Sequence, residues 1–310
     1  MISVIIPVYN EEKNIRILTK ELFDVLKTIK DKFEIIYIND GSKDKSILIL
    51  KDIAKYNKNV RVINHRKNFG QTASLNSGLK HAKGNIIVTL DADLQNDPKD
   101  IPRLLNKLNE GYDAVSGWRY KRKDPSSKKI MSVIANKLRR KITGEKIHDA
   151  GCSLKAYKKE VVDGLELYGE MHRYIISLVA LRGFKISEVK VNHRSRKYGK
   201  TKYSSSRLIK GFLDLMFIKF WSDYSNRPLH FFGTLGIIQY FLSGLIIIEQ
   251  IIKAIVINAL TVGPLLLLAV LLVITGTLFI IFGFLAEIMI RLYFRDQPEQ
   301  QDHMIKEVIN

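Results

Sequence analysis

The chain has 310 residues, with 50 Lys+Arg against 31 Asp+Glu and a formal charge of +19. It can bury one sizeable core with length to spare, and an anionic partner is expected: nucleic acid, an anionic membrane surface or a phosphorylated substrate. The single cysteine, Cys152, excludes an intrachain disulfide and a Cys-rich zinc site, fits a cytosolic face, and reads as a small semi-buried apolar residue.

The opening "MISVIIPVYN" has no basic n-region, so no signal peptide is expected. Up to Pro228, apolar strands alternate with amphipathic helical stretches. "SVIIPVY" predicts a strand and Glu11 to Lys30 a helix; "FEIIYIND" a strand and Lys43 to Tyr56 a helix. "VRVINH" predicts a strand, Gln71 to Ala82 a helix, and "NIIVTLDAD" a further strand. This order predicts an α/β domain over residues 1–203, with a mostly parallel sheet wound on both faces. Ligands of such sheets bind beyond the carboxyl ends of the strands.

Residues 204–227, "SSSRLIKGFLDLMFIKFWSDYSNR", carry large apolar side chains at roughly helical spacing, with Lys210, Asp214, Lys219 and Asp223 between them. An amphipathic helix in a membrane interface is expected, with Trp221 and Tyr224 at headgroup level. The alternative is a surface helix packed on the domain. Residues 228–296 have the composition of a membrane domain. Phe231 to Ile248 carries no charge, Glu249, Gln250 and Lys253 interrupt, and Leu260 to Ala286 is again uncharged. Two transmembrane helices are expected, at about 231–252 and 262–286. Two spans return the chain to its starting side. The basic N-terminal domain, Arg291, Arg295 and both termini are then expected in the cytoplasm. The polar tail, 297–310, is expected to be disordered.

In "VTLDADLQND", Asp91 and Asp93 follow an apolar strand at a site-forming end of the sheet. Asp-x-Asp on an extended backbone places two carboxylates on one side, where they repel. Mg²⁺ or Mn²⁺ resolves that conflict, and Gln95 can add an amide oxygen. An Asp-rich turn is the alternative. "IYINDGS" offers Asp40 to a base or ribose, and "IPVYNEE" puts Pro7, Tyr9 and Glu11 where the first strand meets its helix. Three strand ends with acids suggest a nucleotide site with a metal diphosphate. Neither a Walker A sequence nor Gly-x-Gly-x-x-Gly is present.

With these motifs in view, "SVIIPVYNEEKNI", "IYINDGSKDKS", "NFGQTASLNSGL" and "LDADLQNDP" resemble the successive motifs of family 2 inverting glycosyltransferases of the GT-A fold. More narrowly, the chain resembles the polyprenyl-phosphate group, the dolichol-phosphate mannose synthases and bactoprenol glucosyltransferases. The likeness continues through "DAGCSLKAY", "HRSRKYGKTKY" and "RPLHFFG". It implies that Pro7, Tyr9, Glu11 and Asp40 hold the nucleoside, and that Asp91, Asp93 and Gln95 organise metal and diphosphate. It further implies that Arg119, Arg196 and Lys202 meet phosphate groups, and that Asp149 faces the acceptor. Where mannose synthases often carry an arginine, this chain offers Lys128 and Lys129, which lack the bidentate fork.

The resemblance implies a metal-dependent transfer of a sugar from a UDP- or GDP-sugar to polyprenyl or dolichyl phosphate, by single displacement with inversion. The implied partners are nucleotide sugar, lipid phosphate and membrane lipids, not nucleic acid; a homo-oligomer is compatible. The basic stretches around the site match anionic substrates, whereas Lys137 to Lys141 are expected to form a solvated face. Two other readings stay open: a processive polysaccharide synthase, although its Gln-x-x-Arg-Trp motif is absent, and a non-catalytic membrane-anchored module.

Overall fold

The computed structural model describes residues 1–120, 139–140, 143–165, 167, 169–196, 198, 206–224, 227–257 and 263–296. They fall into two compact units, one spanning Met1–Ile218 and the other beginning at Lys219.

The strands of the first unit are β1 (Ile2–Val8), β2 (Phe33–Asn39), β3 (Val60–Asn64), β4 (Ile86–Thr89), β5 (Ala114–Trp118), β6 (Lys155–Lys158) and β7 (Ile186–Lys190). They form one sheet in the order β3-β2-β1-β4-β6-β5-β7. The first four run parallel, β6 is antiparallel to both β4 and β5, and β7 is parallel to β5. The expected mostly parallel sheet is present, with one reversed strand inside it.

Helices α1 (Ile15–Leu26), α2 (Ser46–Tyr56), α3 (Gln71–His81), α4 (Ile101–Asn109) and α5 (Ile175–Leu181) cover the two faces. Successive strand side chains point to opposite faces. Ile2, Val4, Ile6 and Val8 of β1 therefore pack in a cluster with Leu18 and Leu22 of α1, Leu50 of α2 and Leu104 of α4. Ile5 packs on the other side with Leu75 of α3 and Ile175 and Val179 of α5. Helix α1 starts later than the expected Glu11, because the Glu11 carbonyl accepts from the Asn14 and Ile15 amides in a preceding turn.

Strand β4 also departs from expectation. "NIIVTLDAD" leaves the ladder after Thr89, with Leu90 N donating to Ile5 O at 3.1 Å. Asp91 and Asp93 lie on a tight turn instead of an extended strand. Asp93 Oδ1 accepts from Gln95 N at 3.1 Å, and Leu94 adopts φ 62°. A side chain that hydrogen-bonds the backbone two residues on competes with the ladder.

Helix α6 (Ser206–Tyr224) covers the segment expected to be interfacial. Leu215 and Ile218 are buried, whereas Leu213, Met216 and Phe217 are exposed. Asp214 accepts from Glu170 N at 3.0 Å. The helix is thus apolar on two faces, one of them packed on the first unit. The side chain of Trp221 lies outside the described residues.

The second unit contains α7 (Pro228–Ile257) and α8 (Pro264–Asp296), each opened by a proline whose missing N–H costs nothing at a helix start. Residues 228–256 and 264–292 contain 18-residue stretches of mean hydropathy 1.9 and 3.0 and are long enough to cross a membrane. The helices exceed the expected spans; α7 runs through the polar interruption, where Lys253 pairs with Glu249 one turn away. The two pack closely at Gly236 and Gly276: a Cβ on Gly236 would sit 2.7 Å from the Gly276 carbonyl oxygen. Ser243 Oγ donates to Ala269 O at 2.9 Å across the same pair.

Candidate active site

After β1 the chain winds outward to β2 and β3, then returns to lay β4 on the other side of β1. Such a reversal opens a crevice at the carboxyl ends of the two diverging strands. Pro7 ends up there beside Ile38, followed by the half-buried Tyr9 and Glu11. The loops after β1 and β2 are stitched together: Asn10 Oδ1 accepts from Lys43 N at 2.7 Å and Ser46 Oγ from Glu11 N at 3.0 Å. Asn10 takes φ 57°, so both non-glycine residues with positive φ among those described, Asn10 and Leu94, flank this crevice.

Asp40 is buried at the end of β2. Its Oδ1 accepts from Phe69 N at 2.9 Å and meets His65 Nδ1 at 3.0 Å, while Oδ2 accepts from Gly70 N at 2.8 Å. The donors that the sequence reserves for a base or ribose are here supplied by the chain's own loop. Asp40 holds residues 65–70 in place, and His65 Nε2 ties that loop to Ser77 at 2.9 Å. Gly41 makes the approach feasible, since its φ is +62° and a Cβ would lie 2.4 Å from the Lys67 carbonyl carbon.

At the end of β4 the two acids face different partners. Asp91 Oδ1 accepts from Gln71 Nε2 at 2.7 Å, at the start of α3. Burial, and then the neighbouring Asp93, push the Asp91 carboxyl up to about 6. Asp93 Oδ2 accepts from Arg196 Nη2 at 2.6 Å, and Arg196 Nη1 lies 4.0 Å from Glu11. Gln95 is fixed through its backbone, which donates to Asp93 and accepts from Arg194 N at 2.8 Å. Arg194 anchors this stretch, bridging Glu21 at 2.8 Å and Asp97 at 2.7 Å. Arg196 thus links Asp93 and Glu11, the Gln95 backbone is tied to Asp93, and Asp91 lies within electrostatic reach of Asp93.

A second group lies at the end of β5. Arg119 Nε and Nη2 donate to Asp149 Oδ2 and Oδ1 at 2.7 and 2.9 Å, a bidentate pair with side chains 14% and 5% exposed. The cation that Asp149 orients is Arg119. Trp118 stacks on His148 at 4.4 Å, bracing the same two segments from outside. Cys152 is fully buried, and burial pushes its thiol up to about 11, which fits the packing role expected of it.

Lys128, Lys129 and Lys202 lie outside the described residues. The basic stretch around Lys137 to Lys141 is not simply a solvated face. Arg139 is buried, ion-paired with Glu145, and donates to Ile147 O at 2.7 Å. Sequence reasoning also missed Gln71, His65, Arg194 and Lys155. Gln71, Arg194 and Lys155 fall inside motifs already noted, but nothing local tells which side chain reaches the acids.

Three comparisons bear on this geometry. The sequence model described as "Glycosyl transferase family 2" matches residues 3–165. A dodecaprenyl-phosphate galacturonate synthase from Rhizobium johnstonii is 36% identical over 315 residues, covering 100% of this chain and 93% of that protein. Among solved structures, glucosyl-3-phosphoglycerate synthase from Mycobacterium tuberculosis with Mn²⁺, UDP and glucosyl-3-phosphoglycerate superposes with a TM-score of 0.54. The match is 19% identical and covers 72% of this chain and 79% of that one. The same enzyme with Mn²⁺, UDP and phosphoglyceric acid gives 0.53 at 19% identity, over 69% and 78%. At that identity the likeness concerns the fold. Fold, motifs and full-length relative agree: the chain belongs to glycosyl transferase family 2.

Proposed function

We propose that the protein is a membrane-anchored inverting hexosyltransferase that moves one sugar from a nucleoside-diphosphate donor to a polyprenyl phosphate. The observation that carries this reading is the 36% identity to a dodecaprenyl-phosphate galacturonate synthase along the whole chain, both apolar helices included. That name also supplies the finer reading, a hexuronosyl group as the sugar transferred. A bound UDP in the solved structures of similar fold favours UDP over GDP.

In this account Pro7, Tyr9 and Glu11 hold the nucleoside, against a loop shaped by Asp40. Asp91, Asp93 and Gln95 hold Mg²⁺ or Mn²⁺. The donor set fits: hard oxygen ligands, with the Asp91 carboxyl raised by burial and then by the neighbouring Asp93. Among the described residues no group of three His, Cys, Asp or Glu side chains is placed to hold an ion, so Asp91, Asp93 and Gln95 would hold it together with oxygens from outside the protein. When bound, the ion supplies positive charge against the diphosphate. Arg196 and Lys202, with Lys128 and Lys129, meet phosphate oxygens.

An acceptor phosphate oxygen forms a bond to the anomeric carbon as the bond from that carbon to the diphosphate breaks. The electron pair leaves with the nucleoside diphosphate, and configuration inverts. A phosphate monoester has a second pKa of about 6 and needs little deprotonation, so Asp149 acts by positioning Arg119 toward phosphate. The two spans tether the enzyme to the bilayer that carries its acceptor. The exposed Leu213, Met216 and Phe217 of α6 suit a membrane interface. The charge of +19, with Arg291 and Arg295 near the end of the second apolar helix, supports a cytoplasmic catalytic unit.

The test incubates membranes containing the protein with labelled UDP- and GDP-sugars, UDP-galacturonate among them, and polyprenyl phosphate, then extracts lipid. Label should enter the lipid phase only with polyprenyl phosphate present, and EDTA should abolish it. Label in a polymer would favour the processive synthase, and label nowhere would sink the reading.

A further inference from the structure

Lys155 opens β6, and because β6 runs against its neighbours, this residue sits at the carboxyl ends of β4 and β5. It lies opposite Thr89 on one side and Ser116 on the other. That places it between the acid pair beyond β4 and the Arg119–Asp149 pair beyond β5. The residue is 4% exposed. Among the described residues it has neither an ion-pair partner within 4.0 Å nor a side-chain hydrogen bond.

The charged and titratable groups that act on it are Cys152, Asp149, Asp91 and Arg119, and none satisfies it. The Cys152 thiol is neutral. Asp149 is committed to Arg119, and Asp91 to Gln71 and Ser153. Burial pulls the Lys155 ammonium down to about 8. An ammonium with so little access to water and no partner in the fold is costly to hold, and its Nζ is not among the fully enclosed orphan atoms, so it keeps a small accessible surface.

We infer that Lys155 is a substrate-binding cation of the transfer site, whose ammonium receives an anionic oxygen of the bound substrates between the two halves of the site. This rests on the glycosyl-transfer reading above. The chemistry it takes is a phosphate or carboxylate oxygen. Three groups present it: the donor diphosphate, the acceptor phosphate, and the carboxylate of a hexuronosyl group.

The test uses the full chain in detergent, with Lys155→Met, and with Lys155→Gln as a second neutral side chain in case Met is not tolerated. Ligand-free, both variants should be as thermostable as the parent or more so, because a poorly solvated charge with no partner in the fold has been removed. The probes are UDP-galacturonate and UDP-galactose, which differ only at the sugar carboxylate, and a short polyprenyl phosphate, each with Mg²⁺. Removing one partner of a buried charge pair should weaken the affected step by at least about 30-fold. A loss confined to UDP-galacturonate assigns the sugar carboxylate. An equal loss of affinity for both donors assigns the diphosphate, and a loss confined to the acceptor KM assigns the lipid phosphate. Unchanged affinities and kcat/KM for all three probes would overturn the inference. So would variants that are less stable ligand-free yet bind every probe normally, which marks a structural lysine. A parent enzyme with no transfer activity would refute the function itself, whereas an active parent with indifferent variants refutes only the role of Lys155.

Discussion

Asp149→Asn keeps the shape of the side chain and takes away its charge. In the parent, both carboxylate oxygens accept from Arg119, at 2.7 and 2.9 Å, in a pair 5% and 14% exposed. Asparagine offers one acceptor and turns an NH₂ toward the guanidinium. Removing one partner from a buried pair costs about 3–5 kcal/mol; Arg119 keeps some access to water, so about 2–3 kcal/mol is the better figure. In a unit of this size that lowers Tm by roughly 4–12 °C. If the same energy is lost from the transition state, kcat/KM falls by about 30- to 150-fold. The assay is a double-mutant cycle with Arg119→Met, followed across pH. Because Asp149 acts through Arg119, either single variant and the double should lose similar activity, with a coupling of about 2 kcal/mol or more. The loss should persist at every pH. Additive losses would refute the reasoning. So would recovery of Asp149→Asn above about pH 6, where the monoester sheds its second proton, since that behaviour belongs to a base.

Asp93→Ala should abolish transfer and sharply weaken metal-dependent donor binding, read by calorimetry with UDP and Mn²⁺, while Gln95→Ala is milder because water can replace a neutral ligand. Gly41→Ala meets both a φ of +62° and a backbone atom 2.4 Å from the new Cβ; it should destabilise by about 1–3 kcal/mol and weaken UDP binding through the loop held by Asp40. Glu34 is buried, and burial alone would raise its pKa. Hydrogen bonds from Ser3, the Lys83 amide and Arg61 outweigh burial and hold the carboxyl below its ordinary 4.5. Its stabilisation is therefore present above the unfolded value and lost as pH falls through the folded one. Glu34→Gln should cost about 1–3 kcal/mol at neutral pH, and the difference from the parent should shrink below 4.5 in acid unfolding curves.

What was legible in the sequence follows from locality. The first four strands are apolar runs bounded by turn residues, and α7 and α8 each contain a long uncharged stretch, so each is visible in its own window. Strand β6 is only "KAYK", and its reversed direction depends on which strands it joins. Asp91 and Asp93 stood out, but the turn that carries them is set by one side-chain bond from Asp93 to the Gln95 amide. Arg119 and Asp149 are 30 residues apart, so their pairing is a tertiary fact. Arg139 sits in a run that looks like a solvated face, and only packing against α5 shows it buried with Glu145. Lys155 was hidden for the same reason: an ordinary lysine in sequence becomes a nearly buried cation once β6 is inserted between β4 and β5.

The most direct test of the central claim is the structure of the product. Purified enzyme is given an α-linked UDP-sugar and polyprenyl phosphate, and the lipid-extractable product is examined by mass spectrometry and NMR. The account predicts a polyprenyl phosphate heavier by a single sugar residue, with β configuration at the carbon bonded to phosphate. An α-linked product, a chain of several sugars, or sugar released without lipid attachment would contradict it.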